Sequence, residues 1–146
     1  EAHDRVSRED LEKKDAEKAE KRKKQQENYE KMHLPQLEEY VYQDNEYLIR
    51  PLRDCKEFEA EGIYNKNCVA SYYDRVTEGG TAVFVMRRID EPDTAFITIE
   101  LRDNHIYQCY GTGNRLPAPE VRKWVDDWLE NIVKPRSKKE PKKGAA

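Results

Sequence analysis

Long apolar runs are missing from this 146-residue chain. No stretch approaches the roughly 20 residues needed to cross a bilayer, so neither a membrane-spanning helix nor a signal peptide is expected. Cysteine is scarce: Cys55, Cys68 and Cys109 are odd in number and show no C-x-x-C spacing. That argues against a disulfide frame or a zinc site and favours reduced thiols in a cytoplasm. Histidine occurs only at His3, His33 and His105, which restricts any mechanism that needs an imidazole base.

A basic surplus is missing from the body of the chain as well. Residues 33–133 carry a net charge of −8, whereas residues 1–32 are neutral and residues 134–146 carry +5. An acidic body argues against a domain that coats nucleic acid through a broad basic face. The surplus of Lys138, Lys139, Lys142 and Lys143 leaves nucleic-acid contact open for the tail alone, beside the plainer reading of a solvated, disordered end.

What is present is charge, at 39% of residues against 36% hydrophobic. Residues 5–32 are rich in Glu, Lys, Ala and Gln and contain no Gly or Pro, which predicts one long helix. Pairs such as Glu17–Lys21 and Glu20–Lys24 sit at i,i+4 spacing. The apolar residues keep no heptad, so a coiled coil is weakly supported and a solvated helix leading into the domain is expected. Leu34 to Val41 reads as a short helix, and Glu46 to Leu52 as a strand that Pro51 limits to an edge or an end. One or two helical turns follow from Cys55, stopped by Gly62.

Asn67 is placed to cap a helix over residues 68–77, closed by Gly79 and Gly80. Three strand-like runs follow at residues 81–88, 95–101 and 105–110. Their short connections imply an antiparallel meander. A helix over residues 117–133 presents Val121, Trp124, Val125, Trp128, Leu129, Ile132 and Val133 on one face, and Pro135 should stop it. The expected fold is α+β: a three-to-four-stranded antiparallel meander packed by a Cys68-containing helix and a C-terminal Trp-containing helix, after a long charged helix. The expected organisation is a helical extension over 1–33, an α+β domain over 34–134 and a basic disordered tail over 135–146.

Three places could carry chemistry. Cys68 in the first turn of its helix has the dipole and free amides that favour a thiolate, with Ser71 and Tyr72 on the same face. A structural cysteine is the competing reading. On the sheet, alternation puts Thr98 and Glu100 on one face and Ile97, Ile99 and Leu101 on the other. Arg87 and Gln108 join that polar face if the register allows. A two-residue turn at Asp103-Asn104 pairs Glu100 with Tyr107, and a one-residue bulge would bring Gln108 beside Glu100 instead. The third place is Gly111-Thr112-Gly113-Asn114-Arg115, where two glycines permit a tight anion-cradling turn but complete no nucleotide motif, beside the plainer reading of a strand-to-helix turn. Metal ligands are not expected, and the identity of any cofactor is unknown from the sequence.

These pieces resemble the PcfJ-like family. The matching text is Glu61-Gly62, then Asn67-Cys68-Val69-Ala70-Ser71-Tyr72, Gly79-Gly80, Val85-Met86-Arg87, Thr98-Ile99-Glu100, Gln108 and Gly111 to Asn114, with a closing Trp-containing helix. The resemblance covers roughly residues 34–133. Asn67 stands where the family has His, and Ala70 where it has Gly. Asn67 can cap a helix but cannot act as a general base near neutral pH. The resemblance implies a protein of conjugative plasmids, phages or similar mobile elements. It also implies the C-terminal domain of a longer protein, in keeping with a chain that starts at Glu1.

Three functional classes follow. One is an accessory module acting through protein contacts. Another is an enzyme or nucleotide-binding domain, with Cys68 and Glu100 as catalytic candidates and Ser71, Tyr72, Arg87, Thr98, Gln108, Gly113 and Asn114 as binding candidates. The last is a nucleic-acid binder using the lysine tail.

Overall fold

The computed structural model describes residues 2–65 and 73–137. Among them, five strands form one sheet in the order β1-β2-β3-β4-β5, each antiparallel to its sequence neighbour. They are β1 (Tyr42–Gln43), β2 (Tyr47–Pro51), β3 (Ala82–Arg88), β4 (Ile97–Arg102) and β5 (His105–Tyr110). Short connections join β1 to β2, β3 to β4 and β4 to β5, as antiparallel neighbours allow, whereas residues 52–81 intervene between β2 and β3. Pro51 is the last residue of β2, beyond the reach of the two-residue β1, so its missing N–H costs no ladder bond on that side. The fold class is the expected α+β, with a fifth, very short strand added at the edge.

Alternation along the strands gives the sheet two different faces. Ile49, Phe84, Met86, Ile97, Ile99 and Cys109 lie on one, under the C-terminal helix α5 (Pro119–Trp128). Val121, Val125, Trp128, Leu129 and Val133 are buried there, and Trp124 and Ile132 pack at the margin. The Trp128 indole N–H donates to the Tyr40 carbonyl at 2.8 Å, so the largest side chain of the helix also leaves no polar atom stranded.

Pro135 does not stop this helix. A π turn, Leu129–Val133, leads into α6 (Lys134–Ser137), which contains Pro135. Proline lacks an N–H and crowds the carbonyl four residues before it in an α-helix. The wider turn immediately upstream is how the chain continues past it. Buried Ser137 accepts a hydrogen bond from the Asn104 side chain at 3.0 Å, and the Arg136 guanidinium donates to the Glu39 carbonyl.

Three helices cover the opposite face. They are α1 (Ala2–Met32), α3 (Cys55–Asn65) and α4, described over Tyr73–Thr77. The expected stop at Gly62 does not occur; α3 runs on to Asn65. A helix-interior glycine costs only about 1 kcal/mol. Against that, both Phe58 and Glu61 of this helix are fully buried on the sheet. Phe58 joins Tyr29, Leu52, Tyr73, Val76, Val83 and Val85 in a second apolar cluster.

The last three turns of α1 are part of the domain and not only a lead into it. Tyr29 is 0% exposed and donates its hydroxyl to the Leu52 carbonyl at 2.7 Å. Burial pushes the Tyr29 phenol well above its usual range. Gln26 donates to the Arg53 carbonyl and accepts from the Tyr73 hydroxyl, and Asn28 donates to the Thr77 carbonyl. Residues 10–24 of the same helix are exposed throughout.

Helix α4 ends at Gly79, whose φ of 86° suits glycine. The amides of Gly79 and Gly80 return to the Val76 and Arg75 carbonyls at 3.0 Å each, a Schellman closure. A Cβ on Gly79 would fall 2.5 Å from the His33 ring, so His33, just before α2 (Leu34–Glu38), is packed against this closure.

Asp44 ties the β1–β2 turn to α5. One carboxylate oxygen accepts from the Glu46 and Tyr47 amides, and the other accepts from the Trp124 indole at 2.7 Å. Burial works to raise its pKa, but the indole and amide donors outweigh it and hold the carboxyl below its usual value. A depressed folded-state pKa gives stability that is present above the unfolded value of about 3.9 and is lost as pH falls through the folded value. Wild type should therefore exceed Asp44→Asn by about 1 kcal/mol in urea denaturation near pH 7. That gap should close in acid, below about pH 4.

Candidate functional site

The helix-covered face of the sheet carries Val83 and Val85 on β3 and becomes polar at Arg87 and along β4 and β5. Val85 lies beside Thr98 and Val83 beside Glu100 in the ladder, while Gln108 sits opposite Glu100. Arg87, Thr98, Glu100 and Gln108 thus share one face. Gln108 is there because of a bulge between Glu100 and Leu101, which places Tyr107 as the extra residue. The two-residue turn at Asp103 and Asn104 takes φ of 52° and 62°, as a type I′ hairpin requires. Of the two registers open to the sequence, the bulged one is observed.

Arg87, Thr98 and Glu100 are engaged by Glu61, Thr81 and Arg102 around them. Arg87 forks onto Glu61 of α3, with Nη2 2.8 Å from Oε2 and Nη1 3.4 Å from Oε1. Thr98 donates its hydroxyl to the same carboxylate at 3.0 Å. One strand residue further on, the Glu100 Oε2 atom takes the Arg102 Nε–H at 2.8 Å and lies 2.7 Å from the Thr81 hydroxyl. Glu61 and Glu100 are each 2% exposed. The second oxygen of Glu100 has no hydrogen-bond partner among the described residues. Arg102 also lies over the Tyr107 ring, 3.5 Å from its centroid, so the bulged residue shields the outer edge of the network.

Glu61 is the member that sequence reasoning did not single out as a site residue. It was visible only as the start of a Glu-Gly motif. A lone carboxylate near a helical glycine gives no sign that it will be buried; the sign lay in Arg87, an arginine on an otherwise apolar strand that needs a partner.

The other expected site residues fall elsewhere. Cys68, Ser71 and Tyr72, with Asn67, lie outside the described residues, as do Lys138, Lys139, Lys142 and Lys143. Gly113 and Asn114 sit in an exposed 3-10 turn, Thr112–Asn114, beyond the end of β5, with φ of 69° and 63°. They do not join the polar face. His105 is exposed, as its hairpin position suggested, and is paired across the ladder with Arg102.

The two described thiols are poor nucleophiles. Burial pushes the Cys109 thiol up to about 11. Burial, and then a hydrogen bond to the Glu59 carboxylate at 3.1 Å, raises Cys55. Neither adjoins the Glu61–Arg87 pair in the hydrogen-bond network. No cluster of three or more His, Cys, Asp or Glu among the described residues is placed to hold a metal, and no described helix is long and apolar enough to cross a membrane.

The buried polar strip is reached at its margin through Thr81 and Arg102, which line a 340 Å³ hollow beside Gly79 and Gly80.

A family model described as PcfJ-like protein matches residues 1–125, which includes the charged helix α1. No curated protein and no solved structure matches the chain.

A buried ion pair broken on one side leaves an uncompensated charge and costs about 3–5 kcal/mol. Arg87→Ala should lower unfolding stability by that amount in urea titrations. The double change Glu61→Leu with Arg87→Met should recover most of the loss, because it removes both charges together.

Proposed function

The chain belongs to the PcfJ-like family, and from that premise we propose that it is an accessory module of a plasmid or phage that works in the cytoplasm through protein contacts, in DNA transfer or in interference with host defence. The observation that carries this reading is the split character of α1. Its C-terminal turns are fixed to the domain through Gln26, Asn28 and Tyr29, while residues 10–24 stand exposed with charges of both signs. A helix held rigidly at one end presents a preordered surface, so a partner need not immobilise it on binding. The buried polar strip supports the same reading, since Arg87 is paired with Glu61 and Arg102 with Glu100.

Photo-crosslinkers placed at Lys14, Lys18 and Lys21 in the intact chain test this in cells carrying the element. One defined protein adduct should form from these positions and be absent from a control at exposed Glu59. Charge reversal at the same three lysines should reduce that adduct about tenfold without loss of helicity. Equal, diffuse labelling from all four positions would contradict the contact role.

One observation favours a catalytic second reading: Glu100 is buried and has one oxygen without a hydrogen-bond partner among the described residues. In that reading Cys68 is the nucleophile, Glu100 assists it, and Ser71, Tyr72, Arg87, Thr98 and Gln108 bind substrate. A reactive Cys68 must ionise below the ordinary thiol value. Iodoacetamide labelling across pH 6–10 should then show Cys68 reacting well before Cys55 and Cys109. A Cys68 profile that rises only with theirs removes this alternative.

A further inference from the structure

A cavity of about 620 Å³ lies at the end of the sheet away from the Thr81–Arg102 hollow. Its volume falls within the range of about 300–1,000 Å³ usual for small-molecule sites. The floor is aromatic. Tyr47 and Phe96 are stacked, with centroids 5.9 Å apart and planes 8° apart, and Trp124 braces Tyr47 edge-on at 5.4 Å. The walls are cationic. The Arg88 guanidinium lies over Phe96, 4.4 Å from the ring centroid. Arg115 stands exposed on the facing segment that leads to α5. Neither arginine has a carboxylate partner among the described residues, although six other arginines do.

From this geometry we infer that the cavity is a binding site for a mononucleotide-type ligand, a planar heterocycle carrying a single phosphate. A guanidinium backed by an aromatic ring presents a flat, weakly hydrated face on which a base can stack. The same two guanidiniums offer forked donors to phosphate oxygens. Glu120 also lines the cavity, and residues 33–133 carry a net −8. Both disfavour a long polyanion and select for one phosphate over several. This site is separate from the exposed α1 surface and from the Glu61–Arg87 network, so it stands whether or not the contact role holds.

Isothermal titration of the intact chain with AMP, GMP, CMP and UMP tests the assignment, with inorganic phosphate and a short single-stranded oligonucleotide, with and without a 5′-phosphate, as parallel probes. Saturable binding of at least one mononucleotide below about 1 mM is expected. Arg115→Gln and Arg88→Gln, both at exposed positions, should each weaken it about tenfold, and Glu120→Gln should strengthen it. Binding of the 5′-phosphorylated oligonucleotide but not its unphosphorylated twin would also support the site and would identify a strand end as the source of the nucleotide. The inference is overturned if no mononucleotide or oligonucleotide saturates the protein. It is equally overturned if inorganic phosphate binds as tightly as every mononucleotide, or if the two arginine variants bind like wild type.

Discussion

A guanidinium on the central strand of a sheet cannot be left alone under a helix, and Glu61 answers it from α3. The forked Glu61–Arg87 pair, with Thr98 as a third donor, is the contact around which the helix-covered face is organised. Taking both ions out of water is costly, and an apolar pair of similar volume would serve stability about as well. What the ion pair adds is direction. It fixes which turn of α3 meets which strand, and it carries the helix through Gly62 where local propensity would have ended it. The apolar residues beside it, Phe58, Val83 and Val85, pack tightly but carry no comparable directional constraint.

Elements governed by a simple period were legible in advance. The alternation of Ile97, Ile99 and Leu101 against Thr98 and Glu100 showed the two faces of β4, and the spacing of Val121, Val125, Trp128 and Leu129 showed the buried side of α5. Features that depend on tertiary partners were not legible. The docking of α1 rests on Tyr29, Gln26 and Asn28, which leave no amphipathic trace among so many charges. The bulge at Tyr107 decided whether Gln108 shared a face with Glu100, and neither residue type announces a bulge. Pro135 read as a stop because the π turn that accommodates it has no sequence mark of its own. The polar face was foreseen as a groove; the buried carboxylate that fills it from above was not foreseen in that role.

Charge is used differently in three parts of the chain. Inside, Glu61, Arg87, Glu100 and Arg102 are mutually engaged and specify packing. Along α1, acids and bases alternate in water and keep a long helix intact. At the Tyr47–Phe96 cavity, Arg88 and Arg115 have no carboxylate partner among the described residues. A composition of 39% charged residues thus conceals three separate roles, which the even distribution of signs in the bulk numbers hides.

The connection between Tyr40 and Trp128 spans 88 residues, and that between Glu39 and Arg136 spans 97. All strand pairs, by contrast, join neighbours in the chain. The β1–β2 and β3–β4–β5 units can therefore assemble from local hairpins, whereas the β2–β3 pair must close over residues 52–81 and the C-terminal helix must close a longer loop still. During synthesis, the sheet face carrying Ile49, Phe84 and Ile99 has no cover until α5 emerges from the ribosome. The interval between these two events is when the nascent chain is most exposed to aggregation, so the tempo of translation between the sheet and α5 bears directly on how much of it reaches the native state.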